Sequence, residues 1–260
     1  MHMIQSVGII GCGALGRNLF HNLKPLEGLT VECFCRSIEK DDSLYQSSVR
    51  KIEELFHCDL ILIAVSDQDI IEVGQILNAY SGIVAHCSGA TPLHNFNGKG
   101  GVFYPLQSFS RSVIRSFKEI PLFIEGDNEE TTIQLYSFAQ RLSNQVEQLS
   151  SEKRQKLHLA AVVSQNFSNH LIALTQDYLE KEGISFQALI PLLEEGLGNA
   201  LYQNAREIQS GPARRKDTKT LDAHLSLLKE EKRLLPLYEQ LSESIKTYYE
   251  EDFQSRVTPY

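Results

Sequence analysis

The 260-residue chain is 42% hydrophobic and 22% charged, with 25 Lys and Arg against 33 Asp and Glu and a formal net charge of −8. That balance suits a soluble globular chain long enough for two domains and excludes an intrinsically disordered one. The acidic excess argues against broad binding to nucleic acid or an anionic membrane, although a local basic patch could still hold a phosphate.

The first half alternates short apolar runs with helical stretches. Val7–Ile10 reads as a strand, and Leu15, Leu19 and Leu23 then mark one face of a helix. Thr30–Cys35 is a second strand. "LILIAV", Leu60–Val65, has no alternation, as expected of a central parallel strand covered on both faces. Asp69–Ala79 reads as helix, Ile83–Cys87 as strand, and Val102–Tyr104 and Leu122–Glu125 as strands nearer the sheet edge. Thr131–Leu142 reads as helix and Val146–Leu149 as a last strand. Strand and helix in alternation predict a doubly wound parallel sheet over residues 1–150.

From Ser151 onward the pattern is helical. One long helix is expected over Ser151–Lys181, capped by Ser151 and stopped by Gly183. A helix broken by Pro191 follows, then Gly196–Ile208, a break at Ser210-Gly211-Pro212, a helix capped by Asp217 and a last one over Leu234–Tyr249. Residues 151–260 are therefore expected to form an all-α second domain. The five cysteines, Cys12, Cys33, Cys35, Cys58 and Cys87, are odd in number and contain no C-x-x-C pair. They predict reduced, buried thiols in a cytoplasmic protein, with neither a disulfide nor a zinc site. Met1-His2-Met3 offers no basic leader, and the longest apolar run is far short of the roughly 20 residues that span a bilayer.

Within the first strand–helix junction stands "GCGALG", a G-x-G-x-x-G spacing at Gly11, Gly13 and Gly16. The spacing alone is common. Its place, directly after a strand and opening a helix, is that of a dinucleotide clamp. Gly11 permits the tight turn, Gly13 lets the backbone approach a pyrophosphate and Gly16 lets the helix pack on the strand. The turn through Ala14 and Leu15 presents helix N-terminal N–H groups to the phosphates. Where NAD sites carry an acid at the end of the second strand, this chain reads Cys35-Arg36-Ser37. Arg36 and Ser37, helped by Lys40, suit a 2′-phosphate, so NADP is expected ahead of NAD. Ala64, Val65 and Ser66, at the end of the central strand, are expected beside the cofactor.

"HCSGA" places His86 and Ser88 at the same sheet edge, where a nicotinamide ring would lie. His86 could move a proton at neutral pH and Ser88 could hydrogen-bond a carboxamide or a substrate carbonyl. A histidine satisfied by backbone is the plainer alternative. "YPLQSF" offers Gln107 and Ser108 to the cleft. Asn166 and His170 share a helix face, and Arg214, Arg215 and Lys216 form the densest basic run of an acidic chain, suited to an acidic substrate or to solvent.

The order of these motifs, followed by "KLHLAAVVSQNFSNHL" and "GPARRKDTKTLDAHL", resembles the family that pairs a Rossmann-like domain with a C-terminal domain of unknown function, many of its members labelled as candidate NADP oxidoreductases. More distantly the chain is similar to pyrroline-5-carboxylate reductase, prephenate dehydrogenase and the β-hydroxyacid dehydrogenases. The resemblance implies a helical second domain of the 6-phosphogluconate dehydrogenase C-terminal-like type, a homodimer, and a substrate between the sheet edge and the long helix. It carries a site role onto Asn166, His158, Arg214 or Arg215, Asp217, Thr220 and His224. Two departures stand out. Tyr104 replaces a histidine often found before the proline of "PLQ", and Lys156 is followed four residues on by Ala160, so the Lys-x-x-x-Asn pair of the β-hydroxyacid dehydrogenases is absent. The functional expectation is hydride transfer between NADP(H) and a small, carboxylate-bearing carbonyl, imine or hydroxy compound, with a non-catalytic NADP-binding sensor or scaffold as the alternative.

Overall fold

The computed structural model describes residues 3–39, 42–96 and 98–257, with side chains up to Glu250. Lys40 lies outside the described residues. Strands β1 (Ser6–Ile10), β2 (Thr30–Phe34), β3 (Ser48–Val49), β4 (Leu60–Ile63), β5 (Ile83–His86), β6 (Gly100–Pro105), β7 (Leu122–Gly126) and β8 (Val146–Gln148) form one sheet in the order β3-β2-β1-β4-β5-β6-β7-β8. All neighbours are parallel except β6 and β7. Helices α1 (Ala14–Leu23), α2 (Ile70–Ile76) and α3 (Glu129–Ala139) cross over the faces. This is the doubly wound, Rossmann-type arrangement. The two-residue β3 at the edge escapes sequence reading, because no apolar run marks it.

The unbroken apolar run of β4 is explained by its two faces. Leu60 and Leu62 join the core under α1 and α3, with Leu19, Leu23, Leu135 and Phe138. Ile61 and Ile63 join the opposite core with Ile70, Leu77 and Val84. A third cluster, Val102, Tyr104 and Phe123, is closed by Leu149 and Leu157. Leu157 lies on α4 (Ser151–Ala161).

The chain divides into two compact units, Met1–Val162 and Val163–Tyr260. The sequence-based boundary lies at residue 150, the start of α4. The polar contacts of α4 show why it stays with the first unit. Arg154 is fully buried; its Nη1 donates to Glu125 Oε2 at 2.5 Å and its Nη2 to the Thr91 carbonyl at 2.6 Å. Ser151 was expected to cap the helix. Instead its hydroxyl donates to Glu125 at 2.7 Å and accepts the Leu93 N–H, while Ser150 occupies the cap position.

The expected single helix over Ser151–Lys181 contains one π-helical turn, Val162–Asn166, between α4 and α5 (Phe167–Lys181). The second unit adds α6 (Ile190–Tyr202), α7 (Ala205–Ile208), α8 (Pro212–Arg215), α9 (Thr218–Leu227) and α10 (Leu234–Val257). Pro191 does not break a helix. It sits in the first turn of α6, where its missing N–H has no intrahelical partner to lose. The helix expected over Gly196–Ile208 is likewise divided, by the turn between α6 and α7. Among the described residues no helix is long and apolar enough to cross a membrane.

Removing one partner of a buried ion pair strands the other charge. Arg154→Met is therefore expected to cost about 3–5 kcal/mol of unfolding free energy in urea, and adding Glu125→Leu to recover part of it.

Candidate active site

The strand register sets the site. Ile10 pairs with Phe34 on one side and Ile63 on the other, and Ile63 pairs with His86. Hence the glycine turn, Arg36, Ala64 and the His86 loop all leave the sheet at its carboxyl edge. There a cavity of about 580 Å³ opens, lined by Gly11, Cys12, Gly13, Cys35, Arg36, Ser37, Ala64, Val65 and Ser66, among others.

The three glycines have separate causes. Gly11 has φ +106°, and a Cβ there would strike the Ala64 carbonyl. A Cβ on Gly16 would overlap the Gly11 carbonyl, so the helix could not pack so closely. Gly13 is different: among the described residues nothing lies within 4 Å of where its Cβ would point. No contact within the protein excludes a side chain there, and the open space leaves the backbone accessible to a ligand. Gly13 is also the N-cap of α1, with no side-chain cap bond and no acid in the first turn. The free N–H groups, reaching through Ala14 and Leu15, thus face an open cradle suited to a pyrophosphate.

Arg36 is exposed at the lip of the cavity and pairs with Asp69 at 3.1 Å. Ser66 donates to the same Asp69 oxygen at 2.6 Å. Asp69 thus aims Arg36 across the cavity, with Ser37 beside it. Arg17, which directly follows the glycine motif, is held in a bidentate pair with Asp42 and is not part of the lining.

Sequence reasoning missed Arg111, which also lines the cavity from the loop after β6. Asn18 and Asn22 of α1 hold that loop. Asn18 is buried and donates to the Ser110 and Val113 carbonyls while accepting the Arg115 N–H at 2.8 Å. Asn22 donates to the Arg115 carbonyl and accepts the Phe117 N–H. The only signal in the sequence was two asparagines at i and i+4 on an otherwise apolar helix face.

His86 is fully buried, and both ring nitrogens are engaged. Nδ1 accepts the Ser88 N–H at 3.2 Å, which leaves Nε2 to donate to the Pro92 carbonyl at 3.0 Å. Burial drives its pKa down to about 4. Ser88 Oγ accepts the Ala90 and Thr91 N–H groups. Here the two residues brace the 87–92 loop. That loop instead presents Gly89, whose Cβ would collide with both Tyr104 and His158. The Tyr104 hydroxyl lies 2.9 Å from His158 Nδ1, with the rings in T-shaped contact. Helix α4 thus brings a histidine against Tyr104. Burial pushes the Tyr104 hydroxyl pKa up, so it holds its proton at neutral pH.

Gln107 and Ser108 are exposed, and Gln107 accepts the Ser108 N–H. The remaining expected residues belong to the second unit. Asn166 and His170 are exposed there. Arg214 stacks over Tyr249, Arg215 is exposed and Lys216 pairs with Glu250. Asp217 caps α9: it accepts from the Thr220 amide and hydroxyl, which hold its carboxyl below the ordinary range. His224 Nδ1 meets the Tyr238 hydroxyl at 2.8 Å.

The thiols differ from expectation in one respect. Cys12 and Cys35 are joined in a disulfide, whereas Cys33, Cys58 and Cys87 are free and buried. Sequence spacing could not show this, because Cys12 and Cys35 follow neighbouring strand ends 23 residues apart.

An open parallel sheet with an uncapped, glycine-lined helix end over a cavity defines a Rossmann-type nucleotide-binding protein. The family model for a "Domain of unknown function (DUF2520)" matches residues 120–245. The structure of BF3122 from Bacteroides fragilis, described as a candidate NADP oxidoreductase, is 32% identical, aligns over 94% of this chain and 98% of that one, and superposes with a TM-score of 0.85. The chain belongs to this family, which joins a Rossmann-like domain to the DUF2520 domain. Two more distant structures share the fold. The reductive aminase from Aspergillus terreus, in complex with NADPH and ethyl levulinate, is 15% identical over 96% of this chain and 95% of its own, with a TM-score of 0.69. Plasmodium falciparum pyrroline carboxylate reductase, with NADP bound, is 14% identical over 94% and 99%, with a TM-score of 0.59. No curated protein matches at the sequence level.

The buried imidazole ties stability to pH. His86 titrates near 6.5 when unfolded and near 4 when folded, so its contribution is complete above pH 6.5 and is lost as pH falls from there toward 4. Between pH 7 and pH 5 the loss is expected to be about 2 kcal/mol, read from urea unfolding. His86→Gln should flatten that part of the profile.

Proposed function

We propose that this protein is an NADP-dependent oxidoreductase acting on a small, carboxylate-bearing carbonyl or imine compound. The observation that carries the cofactor half is the glycine turn at an uncapped helix end, with open space over Gly13, beneath a cavity with Arg36 at its lip. The helix N-terminus would take the pyrophosphate. Arg36, aimed by Asp69 and joined by Ser37, would take the 2′-phosphate. Arg111 would add a second positive charge on the phosphates. When bound, the nicotinamide would supply hydride.

The proton falls to Tyr104. Its hydroxyl stays protonated in its buried setting and would donate to the substrate oxygen or nitrogen. His158 Nδ1, 2.9 Å away, would orient it and return a proton afterwards. His86 and Ser88 would hold the loop that seats the pair. The carboxylate preference is supported by the exposed Arg215 and by the relative named for pyrroline carboxylate, and the carbonyl class by the aminase solved with ethyl levulinate, a keto ester.

The second unit would supply a homodimer interface. Val163 and Phe167 lie four residues apart and are more than half exposed, as are Leu197 and Leu201 on α6. Stripes of this size are ordinarily covered by a partner. A cytoplasmic setting fits a consumer of NADPH.

Gly13→Ala is expected to keep stability within about 1 kcal/mol yet weaken NADPH binding at least tenfold by calorimetry. Arg36→Ala should lose NADPH affinity by a similar factor and leave NADH nearly unchanged; an unaltered NADPH/NADH ratio would remove the NADP assignment. NADPH oxidation followed against a panel of keto acids and cyclic imines tests the activity. On a substrate so found, Tyr104→Phe should lower turnover about 100-fold with the NADPH Kd unchanged.

A further inference from the structure

We propose that Cys12 and Cys35 are a redox-active dithiol–disulfide pair built into the wall of the nucleotide cavity, and that their oxidation state and cofactor occupancy are coupled. The coupling rests on the cofactor reading above; the pair itself does not.

The placement is specific. Cys12 lies between Gly11 and Gly13, in the middle of the turn that would hold the pyrophosphate. Cys35 directly precedes Arg36, which would read the 2′-phosphate. Ile10 and Phe34 are the last paired residues of β1 and β2, and the Gly11 N–H still donates to the Phe34 carbonyl at 3.0 Å. The bridge is thus a covalent rung added just past the hydrogen-bonded ladder. Its Cα atoms are 5.4 Å apart, within the range of an ordinary disulfide, so the strand register sets the distance and the bond needs no backbone shift.

Accessibility separates this pair from the other thiols. Cys12 and Cys35 are half-buried and line the cavity. Cys33, Cys58 and Cys87 are buried, and burial raises their pKa values to about 11, 12 and 12. Such thiols are poor nucleophiles at neutral pH. Cys33 Sγ lies 4.0 Å from Cys35 Sγ, on the core side of the pair. In the cytoplasm a disulfide open to a cavity is one that cycles rather than a permanent staple.

A peroxide is an oxidant small and polar enough to enter this cavity. One thiolate attacks a peroxide oxygen; the O–O bond breaks, the departing oxygen takes a proton and leaves as water, and a sulfenic acid remains. The second sulfur attacks that sulfur; the S–O bond breaks, and hydroxide takes the second thiol's proton and leaves as water. Two thiols lose two electrons, and one peroxide becomes two waters. A dithiol reductant reverses the bond by exchange.

The consequence for binding follows from where the rung sits. The disulfide locks the glycine turn to the Arg36 segment, so both phosphate grips are preorganised together. Breaking it frees each to move. By linkage, a cofactor that prefers the bridged form must also make the bridge harder to reduce.

The full chain, reduced with dithiothreitol, desalted and treated with hydrogen peroxide, tests this. Non-reducing peptide mapping is expected to show a Cys12–Cys35 link and loss of two thiols per chain, with Cys58 and Cys87 still alkylated. NADPH should bind the oxidised form at least threefold more tightly than the reduced form and slow its reduction by dithiothreitol. Cys35→Ser should abolish the response of affinity to peroxide. If Cys12 and Cys35 remain alkylatable after peroxide while NADPH binds, or if affinity is the same in both states, the proposal is overturned and the cofactor reading stands. If the link forms but neither state binds NADPH, the cofactor reading and the coupling fall, and only the dithiol pair survives.

Discussion

The parallel register of β2, β1, β4 and β5 is the constraint on which everything else depends. Each strand is four or five residues long and ends level with its neighbours. That alignment brings Gly11, Arg36, Ala64 and Ser88, spread over nearly 80 residues of chain, to one edge. It also puts Cys12 beside Cys35. A slip of one residue in β2 would turn Val31 and Cys33 out of the core and carry Arg36 away from the cavity. The hydrophobic pattern of the two faces makes that slip costly, so the same burial that stabilises the sheet also aims the site.

A second anchor lies at the other end of the sheet, where β7 runs antiparallel and presents Glu125. Arg154 and Ser151 converge on this carboxylate, while Arg154 and Gln155 reach the carbonyls of Thr91 and Ala90. Thus α4, which follows the sheet in sequence, is bound to the loop that follows β5. The result is a seat for the Tyr104–His158 pair against Gly89. The buried charges are a costly way to attach a helix, but they hold it in one orientation.

Between the two anchors, the loop after β6 is tied to α1 by asparagine side chains rather than by apolar packing alone. Asn18 and Asn22 satisfy five backbone groups of that loop and so bring Arg111 to the cavity. One helix thereby brings its N-terminus and, through its flank, Arg111 to the same cavity. Order in the loop and geometry in the glycine turn therefore depend on the same ten-residue helix.

Much of this was legible in the residues themselves. Periodicity located seven of the eight strands, the glycine spacing located the turn, and the basic Arg36 at the end of the second strand separated NADP from NAD as expectations. These are local properties, set by which side chains alternate and where glycine falls. Pro191 was misread because a proline that starts a helix and one that breaks it look alike in sequence. The Cys12–Cys35 bridge, the Arg111 lining, the particular partners of His86 and the Tyr104–His158 contact were not legible. Each joins residues between 2 and about 100 positions apart through strand register or a buried polar network. The sequence by itself determined the fold and the place of the glycine turn. Only the tertiary structure decided which polar groups remain free for chemistry, because a hydrogen-bonding side chain shows its partner only when the chain has folded back on it.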